Sequence, residues 1–184
     1  MAEQTTLFGP EPTPPPPTVL GSAILSDCDR YRYLLGREWA DGPTAVFVML
    51  NPSTADALTN DPTIRRCLRY AQDWGCGALM VANLYAWRAT DPDELWTAED
   101  PVGPENDAHL YAAATIAVES GGPLVGAWGA NARPDRIAAV LALPGMDRLS
   151  ALAVTKAGQP KHPLYLKADL VPQPWAAPTE EPTP

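Results

Sequence analysis

Ala45-Val46-Phe47-Val48-Met49-Leu50 runs straight into Asn51-Pro52-Ser53-Thr54-Ala55-Asp56. Six apolar residues without alternation suit a strand covered on both faces, as in a parallel α/β sheet. Ligands of such sheets collect at the carboxyl ends of the strands, so the polar cluster predicts a binding lip that carries Asn51 and Ser53. Just downstream, Asp61-Pro62-Thr63-Ile64 sets an N-cap acid before a proline at the first helical position, opening a helix to about residue 73. Ile64, Cys67, Leu68 and Ala71 recur at helical spacing, so that face meets the sheet while Arg65, Arg66 and Arg69 point elsewhere. Arginines in a first turn oppose the helix macrodipole. Two compensating partners stay open: a carboxylate, Asp61 or Asp56, or a bound phosphate.

The rest of the chain repeats the strand-then-helix pattern. Residues 23–26 and 31–35 read as a hairpin beside the sheet. Trp74-Gly75-Cys76-Gly77 stops the first helix, and a second buried strand over 78–82 again ends on an asparagine, Asn83. The loop beyond it carries Tyr85, Trp87 and Arg88, and Asp91-Pro92 opens a short capped helix. An alanine-rich helix over 105–119 starts at Asn106 and Asp107. A third strand, 123–128, stops at Trp128-Gly129, and another helix lies near 133–143. A fourth strand, 149–154, enters a polar loop with His162, the more telling of only two histidines; His109 sits on a helix beside Leu110. Four buried strands alternating with helices imply an α/β fold: a three-layer α/β/α sandwich with a central four-stranded, mainly parallel sheet plus an N-terminal hairpin. In that arrangement Asn51, Asn83, Trp128 and His162 share one edge of the sheet.

Each of these residues also has a plain structural use. Asn-Pro initiates turns, Asp61 suits a helix cap, Asn83 suits a strand-loop junction, and Cys67 reads as a small core residue.

With 46% hydrophobic residues over 184 positions, the composition fits one domain with a proper core. Residues 19–175 form that domain. Residues 1–18, with the run Pro14 to Pro17, and the acidic, proline-rich 176–184 bury too little apolar surface to fold, and disorder is expected of both. The net charge is −9, but four glutamates lie in the tails, leaving 18 acidic against 13 basic side chains between them. That balance excludes indiscriminate coating of nucleic acid and still allows a small basic mouth from Arg65, Arg66, Arg69, Lys156 and Lys161. Cys28, Cys67 and Cys76 have neither zinc-ligand spacing nor an even count, which suits reduced thiols and a cytoplasmic location. No metal and no cofactor is expected. Neither a signal-peptide pattern nor a membrane-length apolar run is present, so no membrane partner is expected. The sequence sets no oligomeric state.

Several motifs in order resemble a known family. Leu50-Asn51-Pro52-Ser53, the helix start Asp61-Pro62-Thr63-Ile64-Arg65-Arg66-Cys67, Asn83-Leu84-Tyr85-Ala86, Asp100-Pro101-Val102-Gly103-Pro104-Glu105-Asn106-Asp107, Ala127-Trp128-Gly129 and His162-Pro163-Leu164 resemble the bacterial and phage proteins known as domain of unknown function 1643. More distantly, Leu50-Asn51-Pro52-Ser53 is similar to the Ile-Asn-Pro-Gly motif of the mismatch-specific branch of the uracil-DNA glycosylase superfamily. His162-Pro163-Leu164 is similar to that superfamily's His-Pro-Ser. This second resemblance implies that Asn51 orients an attacking water, Asn83 reads a base edge, Trp128 belongs to the pocket, and His162 stabilises a leaving base. Ser53 stands where that branch has glycine, and Leu164 where it has the serine that holds a DNA phosphate.

These types suit the chemistry. An asparagine offers a donor and an acceptor to a base edge, and a histidine can donate to a carbonyl oxygen on which charge develops as a glycosidic bond breaks. The expectation is a protein that recognises a nucleobase, nucleotide or nucleic acid, single-stranded DNA included, with N-glycosidic hydrolysis as its catalytic form. Asn51, His162, Asp61 and Asp56 are the catalytic candidates. Ser53, Asn83, Arg65, Arg66, Tyr85 and Trp128 are the candidates for holding base or phosphate. The alternative is a non-catalytic module that senses a nucleotide or modified base in phage–host conflict. An adaptor built on the proline-rich tails ranks last.

Overall fold

The computed structural model describes residues 19–53, 59–89 and 91–178. The N-terminal proline run, Asp56 and residues 179–184 lie outside the described residues. Seven strands form one mixed sheet in the order β1-β2-β4-β3-β5-β6-β7. They are β1 Leu20–Leu25, β2 Arg32–Glu38, β3 Thr44–Met49, β4 Ala78–Asn83, β5 Leu124–Gly126, β6 Ser150–Ala151 and β7 Gln173–Pro174. The helices are α1 Pro62–Asp73, α2 Pro92–Leu95, α3 Asn106–Ser120 and α4 Pro134–Leu141.

The expected four parallel strands form the middle of this sheet, because β4, β3, β5 and β6 pair in parallel. The expected size is corrected from four strands to seven. The hairpin joins the sheet outright through an antiparallel β2–β4 ladder, and β7 adds an antiparallel edge beside β6. The fourth strand is also shorter than the apolar run 149–154: only Ser150 and Ala151 pair, and Val154 makes an isolated bridge to Pro160.

The unbroken apolar run of β3 divides between two cores. Val46 and Val48 pack with Leu110, Ala113, Ala114 and Ala117 of α3 and Val140 of α4. Ala45, Phe47 and Met49 pack with Ile64, Cys67, Leu68 and Ala71 of α1. Successive strand residues point to opposite faces, so a strand lying between two helical covers has no polar face to show. Among the described residues no helix is long and apolar enough to cross a membrane.

Local signals account for the helix limits. Asp61 accepts the Ile64 N–H at 2.7 Å, and Pro62 follows at the first helical position. α3 ends at Gly121 in the left-handed region, φ 71°, and Gly122 then passes so near β3 that a Cβ would lie 2.0 Å from the Thr44 carbonyl oxygen.

Phe47 is fully buried, its ring stacked on Trp74 with centroids 5.8 Å apart. Phe47→Ala should therefore cost about 3–5 kcal/mol of stability, read as a lower denaturant midpoint. Gly122→Ala should also destabilise, since the backbone oxygen it meets cannot rotate away; an unchanged midpoint would contradict the close approach.

Candidate functional site at the strand ends

The strands of the parallel set deliver their loops to a common end. From β3 the chain turns to α1, on the Phe47 side of the sheet; from β5 it turns to α4, on the Val48 side. Neighbouring parallel strands whose connections leave to opposite faces open a crevice between them. A hollow of about 420 Å³ lies there, lined by Met49, Leu50, Asn51, Trp128, Gly129, Ala130, Asn131 and His162. A second hollow of about 140 Å³ adjoins it toward β4, walled by Arg32, Asn51, Ser53, Asp61, Asn83 and His162 among others. Asn51 and His162 belong to both.

Asn51 is held by its amide nitrogen, which donates to the Ala89 carbonyl at 3.0 Å and to the Pro52 carbonyl at 3.3 Å. Ala89 N–H returns a bond to Pro52 O at 3.1 Å, so the loops after β3 and β4 clasp each other. With both amide contacts made by carbonyls, the Asn51 side-chain oxygen is an acceptor turned to other partners. Ser53 donates its hydroxyl to Asp61 Oδ2 at 2.9 Å, while Asp61 Oδ1 caps α1. Asp61 thus joins the lip to the helix that follows it, the structural use its sequence position suggested.

Asn83 is only 1% exposed, and its amide nitrogen has no hydrogen-bond partner. A buried donor left unpaired costs about 1–3 kcal/mol. Its backbone oxygen, by contrast, is well served: Asn106 Nδ2 donates to the carbonyls of both Asn83 and Leu84 at 3.0 Å. Arg136 Nε adds a bond to Leu84 O at 2.7 Å, and Arg136 Nη2 reaches Asp107 at 2.5 Å.

His162 caps a 3-10 turn over residues 163–165, with its Nδ1 accepting the Leu164 N–H at 3.4 Å. That bond assigns the proton to Nε2, making the ring a donor on its other side. Burial holds its pKa below the ordinary 6.5, and the Asp61 carboxylate opposes the shift. Arg32, 3% exposed, completes the wall. Burial lowers its guanidinium to about 10; Arg88 and Arg37 push the same way and Asp61 opposes, so it keeps its charge near neutrality.

The structure brings Asn51, Ser53, Asp61, Asn83 and His162 to one cavity, with Trp128 on the adjoining one. Tyr85 is elsewhere: it is buried against Trp96, and its oxygen accepts the Arg133 N–H at 3.2 Å. Trp128 is buried in the core, its Nε1 donating to Gln159 at 3.0 Å, so only part of its rim reaches the hollow. Arg65 donates to the Asn60 carbonyl and Arg66 to the Leu166 carbonyl; neither lines the small cavity. The compensation expected for these arginines therefore comes from main-chain oxygens. Arg32 and Arg136 carry no motif, and Asn106, though inside the Asp100–Asp107 motif, reads from sequence only as a helix start. The one available hint for Arg32 was a charged residue set between two tyrosines, Tyr31 and Tyr33, at the start of a strand.

The family model described as "Protein of unknown function (DUF1643)" matches residues 32–164. The chain belongs to the DUF1643 family. The matched span runs from Arg32 to just beyond His162, so this DUF1643 chain has the whole cavity wall inside the family region. No curated protein and no solved structure matches it.

The lowered pKa of His162 has a thermodynamic consequence. Above pH 6.5 the imidazole is neutral in both folded and unfolded chains; below it the unfolded chain binds the proton first, so stability falls as pH drops from 6.5 toward the lower folded value. Chemical denaturation at a series of pH values should show this loss in the wild type. The His162→Gln protein should lack that component. Asp61→Ala should cost about 1 kcal/mol from the lost cap, with a further loss from the released Ser53.

Proposed function

We propose that the cavity binds a nucleobase, free or within a nucleotide or single-stranded DNA, and that N-glycosidic hydrolysis is the reaction it serves. The observation that carries this reading is the unpaired amide of Asn83. A buried donor on the wall of a polar hollow calls for an acceptor from a ligand or a water. Arg32 and the Nε2–H of His162 are further donors on the same wall, while the Asn51 oxygen is an acceptor. A planar ring with carbonyl oxygens and a ring N–H matches that set. Size agrees: about 140 Å³ is well below the roughly 300–1,000 Å³ of pockets for larger ligands. A single ring fits the small hollow, and a sugar or phosphate would extend into the 420 Å³ one beside it.

In the catalytic form, Asn51 Oδ1 orients a water toward C1′ of the sugar. The C1′–N bond breaks with its electron pair on the base, and His162 Nε2–H donates to the base oxygen that gains charge. The water oxygen bonds to C1′, and its proton passes to a carboxylate, Asp61 or Asp56. Helices on both faces of a four-strand parallel centre support a three-layer, uracil-DNA glycosylase-like reading of the architecture. The second reading, a non-catalytic sensor of a nucleotide or modified base, is favoured by one observation. Both Asp61 oxygens already accept hydrogen bonds, from Ile64 and Ser53.

The test pairs binding with turnover, using free nucleotides and labelled oligonucleotides that carry uracil, hypoxanthine or oxidised pyrimidines. Asn83→Ala should weaken binding by about tenfold, one hydrogen bond's worth or about 1.4 kcal/mol. Asn51→Ala should lose turnover and keep most binding, and His162→Ala should slow the reaction. Binding without turnover in the wild type selects the sensor. Absence of binding to every base and nucleotide would refute both readings.

A further inference from the structure

One face of α1 holds the segment that follows His162. Arg66, Tyr70 and Trp74 stand four residues apart, a spacing that stacks side chains along one side of a helix. Each donates to a main-chain carbonyl of the strap 162–170: Arg66 Nη2 to Leu166, the Tyr70 hydroxyl to Lys167, and Trp74 Nε1 to Leu170 at 3.1 Å. The three donors are themselves packed as a unit. The Arg66 guanidinium lies 4.9 Å from the Tyr70 ring centre, and the Tyr70 and Trp74 rings stack with centroids 5.4 Å apart. Trp74 in turn stacks on Phe47 of β3, so the row is anchored to the central sheet.

Of the strap's own side chains, Pro163 is buried and Leu166 and Leu170 pack on the same cluster, while Tyr165 is 91% exposed. Between the first gripped carbonyl and His162 lies only the 3-10 turn, stiffened by Pro163 and closed by Leu166 N–H to Pro163 O at 3.1 Å. A displacement of the strap is therefore passed to the imidazole with little slack.

We propose that Arg66, Tyr70 and Trp74 are positioning residues: their row of donors on α1 holds the strap so that the His162 ring stays at the junction of the two hollows. The proposal rests on the reading that those hollows bind the ligand, and it assigns Arg66 a role other than phosphate binding. Its signature is spectroscopic. A loosened strap exposes the ring to water, which removes the burial that suppresses protonation, and frees Nδ1 from Leu164, which relaxes the tautomer. Asp61, from the start of α1, and Arg32, from β2, line the same hollow and stay in place, while Lys161 just before the strap and the strap's Lys167 and Asp169 are exposed.

The experiment is histidine ring NMR on the full chain across pH, with the His162 signals identified by their loss in His162→Gln. Arg66→Lys, Tyr70→Phe, and the double variant Tyr70→Phe with Trp74→Phe should each raise the His162 titration midpoint toward 6.5 and lower the population protonated at Nε2. Arg69→Gln, on the exposed side and paired with Asp73 at 2.9 Å, should leave both unchanged. Wild-type midpoint and tautomer in a folded double variant would overturn the proposal. Should the double variant not fold, Tyr70→Phe, which removes a single hydroxyl, decides by the same criterion. Shifted signals in a protein whose wild type binds no base or nucleotide would uphold the positioning role and remove the nucleobase reading. Base binding with unshifted signals would do the reverse.

Discussion

Two adjacent carbonyls, those of Asn83 and Leu84, emerge where β4 ends inside the protein and water does not reach. Buried carbonyls need donors, and here the donors are side chains. Asn106, at the start of α3, serves both, and Arg136 on α4 serves Leu84. One small knot of hydrogen bonds thus ties two helices to the end of one strand. The knot fixes the chain where the loop after β4 begins; farther along, the Ala89 carbonyl accepts from Asn51, and the Asn83 amide nitrogen lies unpaired on the cavity wall. The scaffold takes up the Asn83 backbone oxygen, and the same residue's amide nitrogen is left over.

The charge arrangement supports that division. Arg136 has Asp107 beside it, and Asp61 is shared between a helix cap and Ser53, so these ions are tied into structure. Arg32 donates to the Ser53 carbonyl at 3.5 Å from the cavity wall, where Asp61 offsets only part of the cost of its burial. A guanidinium and a neutral imidazole on one wall give a pocket rich in donors without a second buried cation.

Much of this was legible in the sequence wherever the cause is local. Asp61-Pro62 marks the start of α1, Trp74-Gly75 its end, and the unbroken apolar runs mark the buried strands, because capping, proline geometry and side-chain alternation act over a few residues. Asn51, Ser53, Asn83 and His162 were expected at the carboxyl ends of the strands, and they line one hollow together with Asp61. What the sequence concealed depends on partners distant along the chain. β7 exists because Gln173 and Pro174 meet β6, and the apolar run 149–154 yields only two paired residues because β5 is short. Tyr85 looked like a pocket aromatic by proximity to Asn83 but is buried against Trp96, whereas Trp128, which the resemblance assigned to the pocket, is buried and still lines the larger hollow. Arg66 looked free for phosphate because its acceptor lies 100 residues away.

The acceptors on the strap that carries His162 are all main-chain oxygens. Recognition of that kind is indifferent to side-chain identity and sensitive to length. A substitution away from Leu166 and Leu170, which pack on the core, would leave the three acceptors in place, while a single inserted or deleted residue would put every carbonyl out of step with the four-residue spacing of α1 at once.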